Sequence, residues 1–255
     1  MAEYGSGLRT EMGAERVLAT HGRTGPMVQW LRESGLDAQS LHTEFVGERD
    51  DIDIDATDLD VIEGVIPTDI DGIYVRNTEN PVHDAIGKYH PFDGDGMLHA
   101  VRFEHGRAVY QNRWVMTDGL REELDAGGAI WQGIKDPPNK ARPDAPIKNT
   151  SNTDVKYHAG RLISMWYRSG MPYAVDPDTL ETVGQADYGQ AFAKISAHSR
   201  PDEHTGELLF FDYSLTAPYM EYGVIGPDRK LRHKTEIPLP GPRLPHDMAI
   251  TQHYS

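Results

Sequence analysis

Two histidines carry the strongest case for chemistry in this sequence. His198 lies in Ile195-Ser196-Ala197-His198-Ser199-Arg200-Pro201, and His246 lies in Leu244-Pro245-His246-Asp247-Met248-Ala249-Ile250-Thr251. Each precedes a strand-like run: Leu208 to Tyr213 follows His198, and Met248 to Thr251 follows His246. A histidine at a strand end can turn its ring into a central cavity, and neutral imidazole is a common ligand for iron, zinc and copper. Spacing alone does not make these two a metal site, because surface or satisfied core histidines account for the same pattern. The chain has no cysteine, which removes disulfides, thiolate metal sites and cysteine nucleophiles. No Ser-His-Asp motif is recognisable either.

The elements that must position these rings read as short strands separated by turns. Gly72 to Arg76 reads as a strand, and Met97 to Phe103 with Ala108 to Val115 as a hairpin across Glu104-His105-Gly106-Arg107. Val155 to Tyr157 meets Arg161 to Trp166 across His158-Ala159-Gly160. Tyr173 to Val175 meets Leu180 to Val183 across Asp176-Pro177-Asp178-Thr179, with proline at the second turn position. Tyr219 to Ile225 and Leu231 to Ile237 complete the set. Many short strands at this spacing predict an all-β sandwich, barrel or propeller. The stretch 118–146, rich in glycine, proline and charge, reads as a long surface excursion. The acidic run 48–60 reads as a surface connection.

Residues 1–45 differ from the rest and form an expected N-terminal helical extension to a β domain of residues 46–255. Met27 to Arg32 reads as a short amphipathic helix, with Pro26 in its first turn and Gly35 as its stop. Its mixed charge argues for packing on the main body over a membrane surface. The formal net charge is −15, from 40 acidic and 25 basic residues. Such a surface repels phosphate backbones, so no nucleic-acid partner is expected. Arginine outnumbers lysine and aspartate is abundant, a balance that suits a salt-rich cytoplasm as well as it suits an ordinary acidic protein. With no signal-peptide pattern and no run of about 18 apolar residues, the expected location is cytoplasmic.

From about Glu63 onward the chain resembles the carotenoid oxygenase family: carotenoid cleavage dioxygenases, lignostilbene dioxygenases and their isomerase relatives. The resemblance rests on Gly64-Val65-Ile66-Pro67, Gly72 to Asn77, and Tyr89 to Val101 with its Phe92-Asp93-Gly94-Asp95-Gly96-Met97 core. It continues through Asn152 to Val155, His158 to Leu162, Pro172 to Thr182 and the two histidine segments. The resemblance implies a seven-bladed β-propeller with a ferrous ion on its axis, of which His198 and His246 supply two of four imidazole ligands. It implies a non-haem iron(II) oxygenase that uses O2 to cleave a double bond of an apolar, conjugated carotenoid or apocarotenoid to carbonyl products. A peripheral membrane contact would serve substrate uptake. Family members run to about twice this length, so the chain reads as an incomplete, N-terminal portion, inactive alone, with the third and fourth ligands beyond residue 255.

Four departures shape the expected site. Pro91 stands where tryptophan usually precedes the Phe-Asp-Gly-Asp-Gly run, and Thr78-Glu79 replaces a common Gly-Pro, a change expected to alter a turn. Lignostilbene-cleaving members hold a phenol with tyrosine and lysine at positions that align with Ile134 and Trp166. Isoleucine cannot hydrogen-bond a phenol and indole is a donor only, which favours a carotenoid over a stilbene. Phe92, Ile134 and Trp166 are therefore the expected substrate-tunnel residues, with core packing the alternative for Phe92. Tyr167 stands where a glutamate commonly supports a ligand histidine, which leaves that imidazole less basic. The Asp93–Asp95 pair reads as turn chemistry, and His90, His99 and His158 as structural or surface residues. The alternative functions are a stilbene-type double-bond dioxygenase and a non-catalytic, polyene-binding fragment.

Overall fold

Three antiparallel sheets of four strands make up the β structure. The computed structural model describes residues 57–137, 140, 142, 146–168, 170–186, 188–189 and 194–255. The expected extension, with its Met27 to Arg32 helix, lies outside the described residues. These divide into two compact units, one of residues 80–93 with 123–148, the other of residues 57–79, 94–122 and 149–255.

The larger unit holds the sheets. The first contains β1 (Thr57–Asp58), β2 (Gly72–Asn80), β3 (Asp95–Glu104) and β4 (Arg107–Trp114), in the order β1-β4-β3-β2. The second runs β5 (Asp154–His158), β6 (Arg161–Met165), β7 (Tyr173–Val175) and β8 (Thr182–Gln185) in sequence order. The third contains β9 (Arg200–Pro201), β10 (Leu208–Tyr213), β11 (Met220–Ile225) and β12 (Leu231–Glu236), again in sequence order. The chain is thus mostly β, as expected, and among the described residues no sheet closes on itself.

Two of the hairpins follow directly from local chemistry. His105 (φ 50°) and Gly106 (φ 78°) link the paired residues Glu104 and Arg107, and Ala159 (φ 48°) and Gly160 (φ 82°) link His158 and Arg161. Two successive left-handed residues give the turn whose twist matches that of the strands, and glycine removes half of its steric cost.

Alternation along β6 then builds two cores. Leu162 faces one side with Leu98, Ala100, Val115, Tyr173, Val175 and Leu180. Ile163 and Met165 face the other, with Ile195, Ala197, Leu208, Phe210 and Ile225. The second sheet therefore packs between the first and the third. Each large side chain so buried stabilises the fold by roughly 1.5–3 kcal/mol.

The structure departs from the sequence-based expectation in several places. Leu180 is not a strand residue: it takes φ 58°, fills the core, and delays β8 to Thr182. Thr57–Asp58 pairs with Tyr110 and Val109 as an edge strand within the acidic connection. Thr78 and Glu79 lie inside β2, not in a turn. There Thr78 Oγ1 bonds His99 Nε2 at 2.9 Å, and His99 Nδ1 bonds the Tyr110 hydroxyl at 2.6 Å. The excursion after Met116 opens with a helix, α1 (Asp118–Ala126), capped by Thr117, whose Oγ1 accepts the Leu120 amide, and stopped at Gly127 (φ 72°). Its buried face carries Glu123 as well as Leu120, so no apolar period announced it. Met248 to Thr251 forms no strand, because among the described residues no ladder partner lies beside it; Thr251 instead closes a turn to Tyr254. Among the described residues no helix is long and apolar enough to cross a membrane.

In the smaller unit, Asp93 ends a 3-10 turn, Pro91–Asp93. One carboxylate oxygen accepts the His90 amide and the other the Ile134 amide, each at 2.9 Å. The His90 bond is the turn chemistry expected of this aspartate; the Ile134 bond joins a residue 41 positions away.

Candidate functional site

The loop that carries His198 is fixed by four consecutive amides, each donating to a different neighbour. Ile195 N–H reaches Gly170 O (3.0 Å), Ser196 reaches Phe211 O (2.9 Å), Ala197 reaches Trp166 O (3.2 Å), and His198 reaches Asp154 Oδ2 (3.0 Å). His198 itself takes φ 68°, a left-handed conformation that costs a non-glycine residue about 1–2 kcal/mol. The bond from its amide to a carboxylate offsets that cost. The same Asp154 oxygen lies 3.4 Å from the His198 ring Nδ1, and its other oxygen meets Lys156 Nζ at 3.1 Å.

His246 arrives on an extended segment, and its ring stacks on that of His198. The centroids are 5.1 Å apart and the planes differ by 20°. The two segments are also joined beside the rings. Arg200 Nη2 donates to Asp247 Oδ1 at 2.7 Å and Oδ2 at 2.9 Å, and Arg200 Nε donates to Met248 O at 2.8 Å. Partial burial works against ionisation of Asp247, but the Met248 amide, the Arg200 guanidinium and His198 together hold its carboxyl below the usual carboxylate range.

Other expected site residues divide between the two units. Trp166 is buried, and its indole Nε1 has no hydrogen-bond partner among the described residues. Tyr167 lies edge-on to Trp166, donates its amide to Thr153 Oγ1 at 3.0 Å and accepts the Tyr213 hydroxyl on its carbonyl oxygen. The carboxylate at the His198 ring nitrogen comes from Asp154, not from position 167. In the smaller unit Phe92 is 43% exposed and packs edge-on against His90, so it is not a core residue. Ile134 is half-buried and joined to Asp93, the next residue after Phe92, through its amide.

Asp154, Arg200 and Asp247 were not singled out by the sequence. All three lie in segments that stand out in it, but nothing in a linear sequence pairs residues 44 or 47 positions apart. A buried polar cluster supports the same region. Asn77 Nδ2 donates to Ser151 O (2.8 Å) and Ser164 Oγ (3.0 Å), and Ser151 Oγ donates to Ser164 Oγ (2.8 Å). Asn152 Nδ2 ties the next residue to Gly94 O at 2.7 Å. A separate cleft, lined in part by Arg161, Ala174, Tyr188, Arg229 and Lys230, includes none of the expected site residues.

Two imidazoles side by side, with a carboxylate at one Nδ1, suit a borderline-soft divalent cation such as ferrous iron. Among the described residues no group of three or more histidine, cysteine, aspartate or glutamate side chains is placed to hold a metal.

Comparison with known proteins agrees with the motifs. Residues 48–255 match the family model RPE65, Retinal pigment epithelial membrane protein. The chain is 32% identical over 249 residues to carotenoid 9,10(9',10')-cleavage dioxygenase 1 of Arabidopsis thaliana, covering 90% of this chain and 46% of that protein. It is 35% identical over 214 residues to isoeugenol monooxygenase of Pseudomonas nitroreducens, covering 80% of this chain and 44% of that protein. Among solved structures, the lignostilbene dioxygenase of Pseudomonas brassicacearum superposes with a TM-score of 0.67 at 30% identity, over 78% of this chain and 42% of that one. The chain spans about half the length of the curated relatives it matches. With more than half of its residues under the family model and the family's motifs in order, the chain belongs to the retinal pigment epithelial membrane protein family, the carotenoid oxygenases.

Proposed function

We propose that this chain is part of a non-haem iron(II) oxygenase that cleaves a carbon–carbon double bond of a carotenoid or apocarotenoid, with His198 and His246 as two of the iron's imidazole ligands. The observation that carries the proposal is the ring pair: two imidazoles from distant segments stacked 5.1 Å apart. In the whole protein these sheets would be consecutive blades of a seven-bladed propeller. When bound, ferrous iron supplies the redox chemistry that brings dioxygen to the double bond. Adding both oxygen atoms across that bond yields two carbonyl products and balances without a reductant.

The chain's own residues hold and orient. Asp154 and the Arg200–Asp247 pair set the imidazoles, and the four amides of the His198 loop keep the backbone from relaxing. Phe92, Ile134 and Trp166 would line the path of the substrate. The buried Trp166 N–H would meet an oxygen at a substrate's polar end. The reacting partners are an apolar conjugated molecule and O2, and the acidic surface disfavours nucleic acid. A cytoplasmic location with peripheral membrane contact would suit such a substrate.

A stilbene-type substrate is the second reading, supported by the likeness to the lignostilbene and isoeugenol enzymes. The test uses the full-length protein. His198→Ala and His246→Ala are expected to abolish anaerobic iron binding and aldehyde formation together; unchanged iron content in both would reject the assignment. Aldehydes from a carotenoid but not from a hydroxystilbene would decide the substrate.

A further inference from the structure

We propose that the cleft between the second and third sheets is a binding site for a small aromatic carboxylate, a molecule with a flat apolar body and one anionic group. The site is separate from the histidine pair and does not rest on the reading of those rings as metal ligands. The cleft has a volume of about 470 Å³, enough for a small organic ligand. Its walls are β6 to β8 on one side and the turn between β11 and β12 on the other.

The opening follows from residue size across the second sheet. Ile163 pairs with Ala174, and Ala174 with Gly184, on successive strands. Residues directly opposite each other in a ladder share a face, so side-chain volume on this face falls from β6 to β8. Ile163 reaches the core formed with Leu208 and Ile225 of the third sheet. Ala174 is only partly buried against that core, and a Cβ at Gly184 would meet nothing within 4 Å. The sheets are thus in contact at β6 and open towards β8. Ala186 and Tyr188, each 4% exposed, complete an apolar floor.

Charge at the mouth selects the head group. Arg161, Asp228, Arg229 and Lys230 all border the cleft. Two of them are compensated: Arg161 Nη1 meets Asp176 Oδ2 at 3.1 Å, and Asp228 Oδ1 meets Arg232 Nη2 at 2.9 Å. Arg229 and Lys230 form no ion pair among the described residues. Two adjacent uncompensated cations, on a chain of net charge −15, make a local positive field that draws an anion to this opening. The turn fixes where they stand. Gly226 N–H donates to Lys230 O at 2.8 Å, Arg229 N–H to Gly226 O at 2.9 Å, and Lys230 N–H to Asp228 Oδ1 at 3.2 Å. Arg229 takes φ 60°, a conformation that glycine adopts at no steric cost, so the backbone does not call for an arginine there. Burial raises the Tyr188 hydroxyl well above its ordinary value and the Arg229 guanidinium opposes that shift, so the positive charge is felt at the floor. Inorganic phosphate would answer the cations and leave the apolar floor in water; a neutral aromatic would do the reverse. An aromatic carboxylate answers both.

The test titrates the full-length protein separately with 2-naphthoate, 2-naphthamide and inorganic phosphate by calorimetry, and follows amide exchange across residues 182–186 and 226–230. Naphthoate is expected to bind and to slow exchange in both segments, with naphthamide and phosphate each weaker. Arg229→Gly and Lys230→Gln should each weaken naphthoate about 2- to 5-fold, and together about 4- to 25-fold, the scale of charge pairs at an exposed mouth. Both variants should fold, because Lys230 is exposed and glycine suits φ 60° at position 229. The site is wrong if naphthoate slows exchange in neither segment, or if the double variant binds it as tightly as wild type. Naphthamide binding as tightly as naphthoate would refute the anionic head, and phosphate doing so would refute the apolar body.

Discussion

Asp154 Oδ2 accepts the backbone N–H of His198 at 3.0 Å and lies 3.4 Å from the same residue's ring Nδ1. One carboxylate thus meets both the strained backbone and the imidazole of a candidate ligand. With Nδ1 turned to Asp154, Nε2 is the nitrogen left for a metal.

Asp154→Ala should cost about 1–3 kcal/mol of stability, because it leaves the His198 amide and Lys156 without their acceptor. It should also weaken iron binding in the full-length protein. Asp154→Asn keeps an acceptor for the amide but not the charge, so it should restore most of the stability and less of the metal affinity. Thermal denaturation beside anaerobic iron titration separates the two effects.

Stability should fall in mild acid through His158 and His99. His158 is buried, with neither ring nitrogen hydrogen-bonded among the described residues. Burial pulls its imidazole below the ordinary value, aided by Arg229 and opposed by the Gly206 and Gly226 carbonyls. Burial, with Arg76, does the same to His99. A depressed folded value means that the unfolded chain binds protons first. The stability is full above about pH 6.5 and is lost as pH falls from there through the folded value. His158→Leu should flatten that acid limb, read as melting temperature against pH; a limb left unchanged would rule out His158 as a source.

Glu123 and Lys148 form an ion pair of 2.6 Å, with side chains 2% and 10% exposed, and Glu123 Oε1 also accepts the Ile130 amide at 2.9 Å. Removing one member of a buried pair strands the other. Lys148→Met should cost about 3–5 kcal/mol. Glu123→Gln keeps an acceptor and should cost less. Chemical denaturation would rank them, and the reverse order would contradict this account.

Gly96, in the Phe-Asp-Gly-Asp-Gly run, has no room for a side chain. A Cβ there would clash with the Ser151 carbonyl oxygen and lie 2.9 Å from Thr150 O, while the Gly96 amide bonds Thr150 O at 2.9 Å. Both obstacles are backbone, so Gly96→Ala should destabilise by about 1–3 kcal/mol or more. The half-buried Gly128 meets nothing within 4 Å, and its alanine variant should be close to neutral in the same melt.

How much of this was legible in the sequence depends on the range of the interaction. The hairpins at His105-Gly106 and Ala159-Gly160, and β10 at Leu208–Tyr213, follow from residues next to one another in the chain. The strand expected after His246 has no partner among the described residues, and β propensity in Met248 to Thr251 cannot supply one. Helix α1 escaped because a buried glutamate broke its apolar face.

The sequence by itself determined a mostly β chain, its family and the two candidate histidines, since composition, turn chemistry and motifs are properties of consecutive residues. Only the tertiary structure decided that those rings stack, that Asp154 faces one of them, and that Arg200 grips the segment bearing the other. Those contacts join residues 44 to 48 positions apart, and their partners are selected by the packing of sheets against one another, a distance relation that no local pattern of side chains encodes.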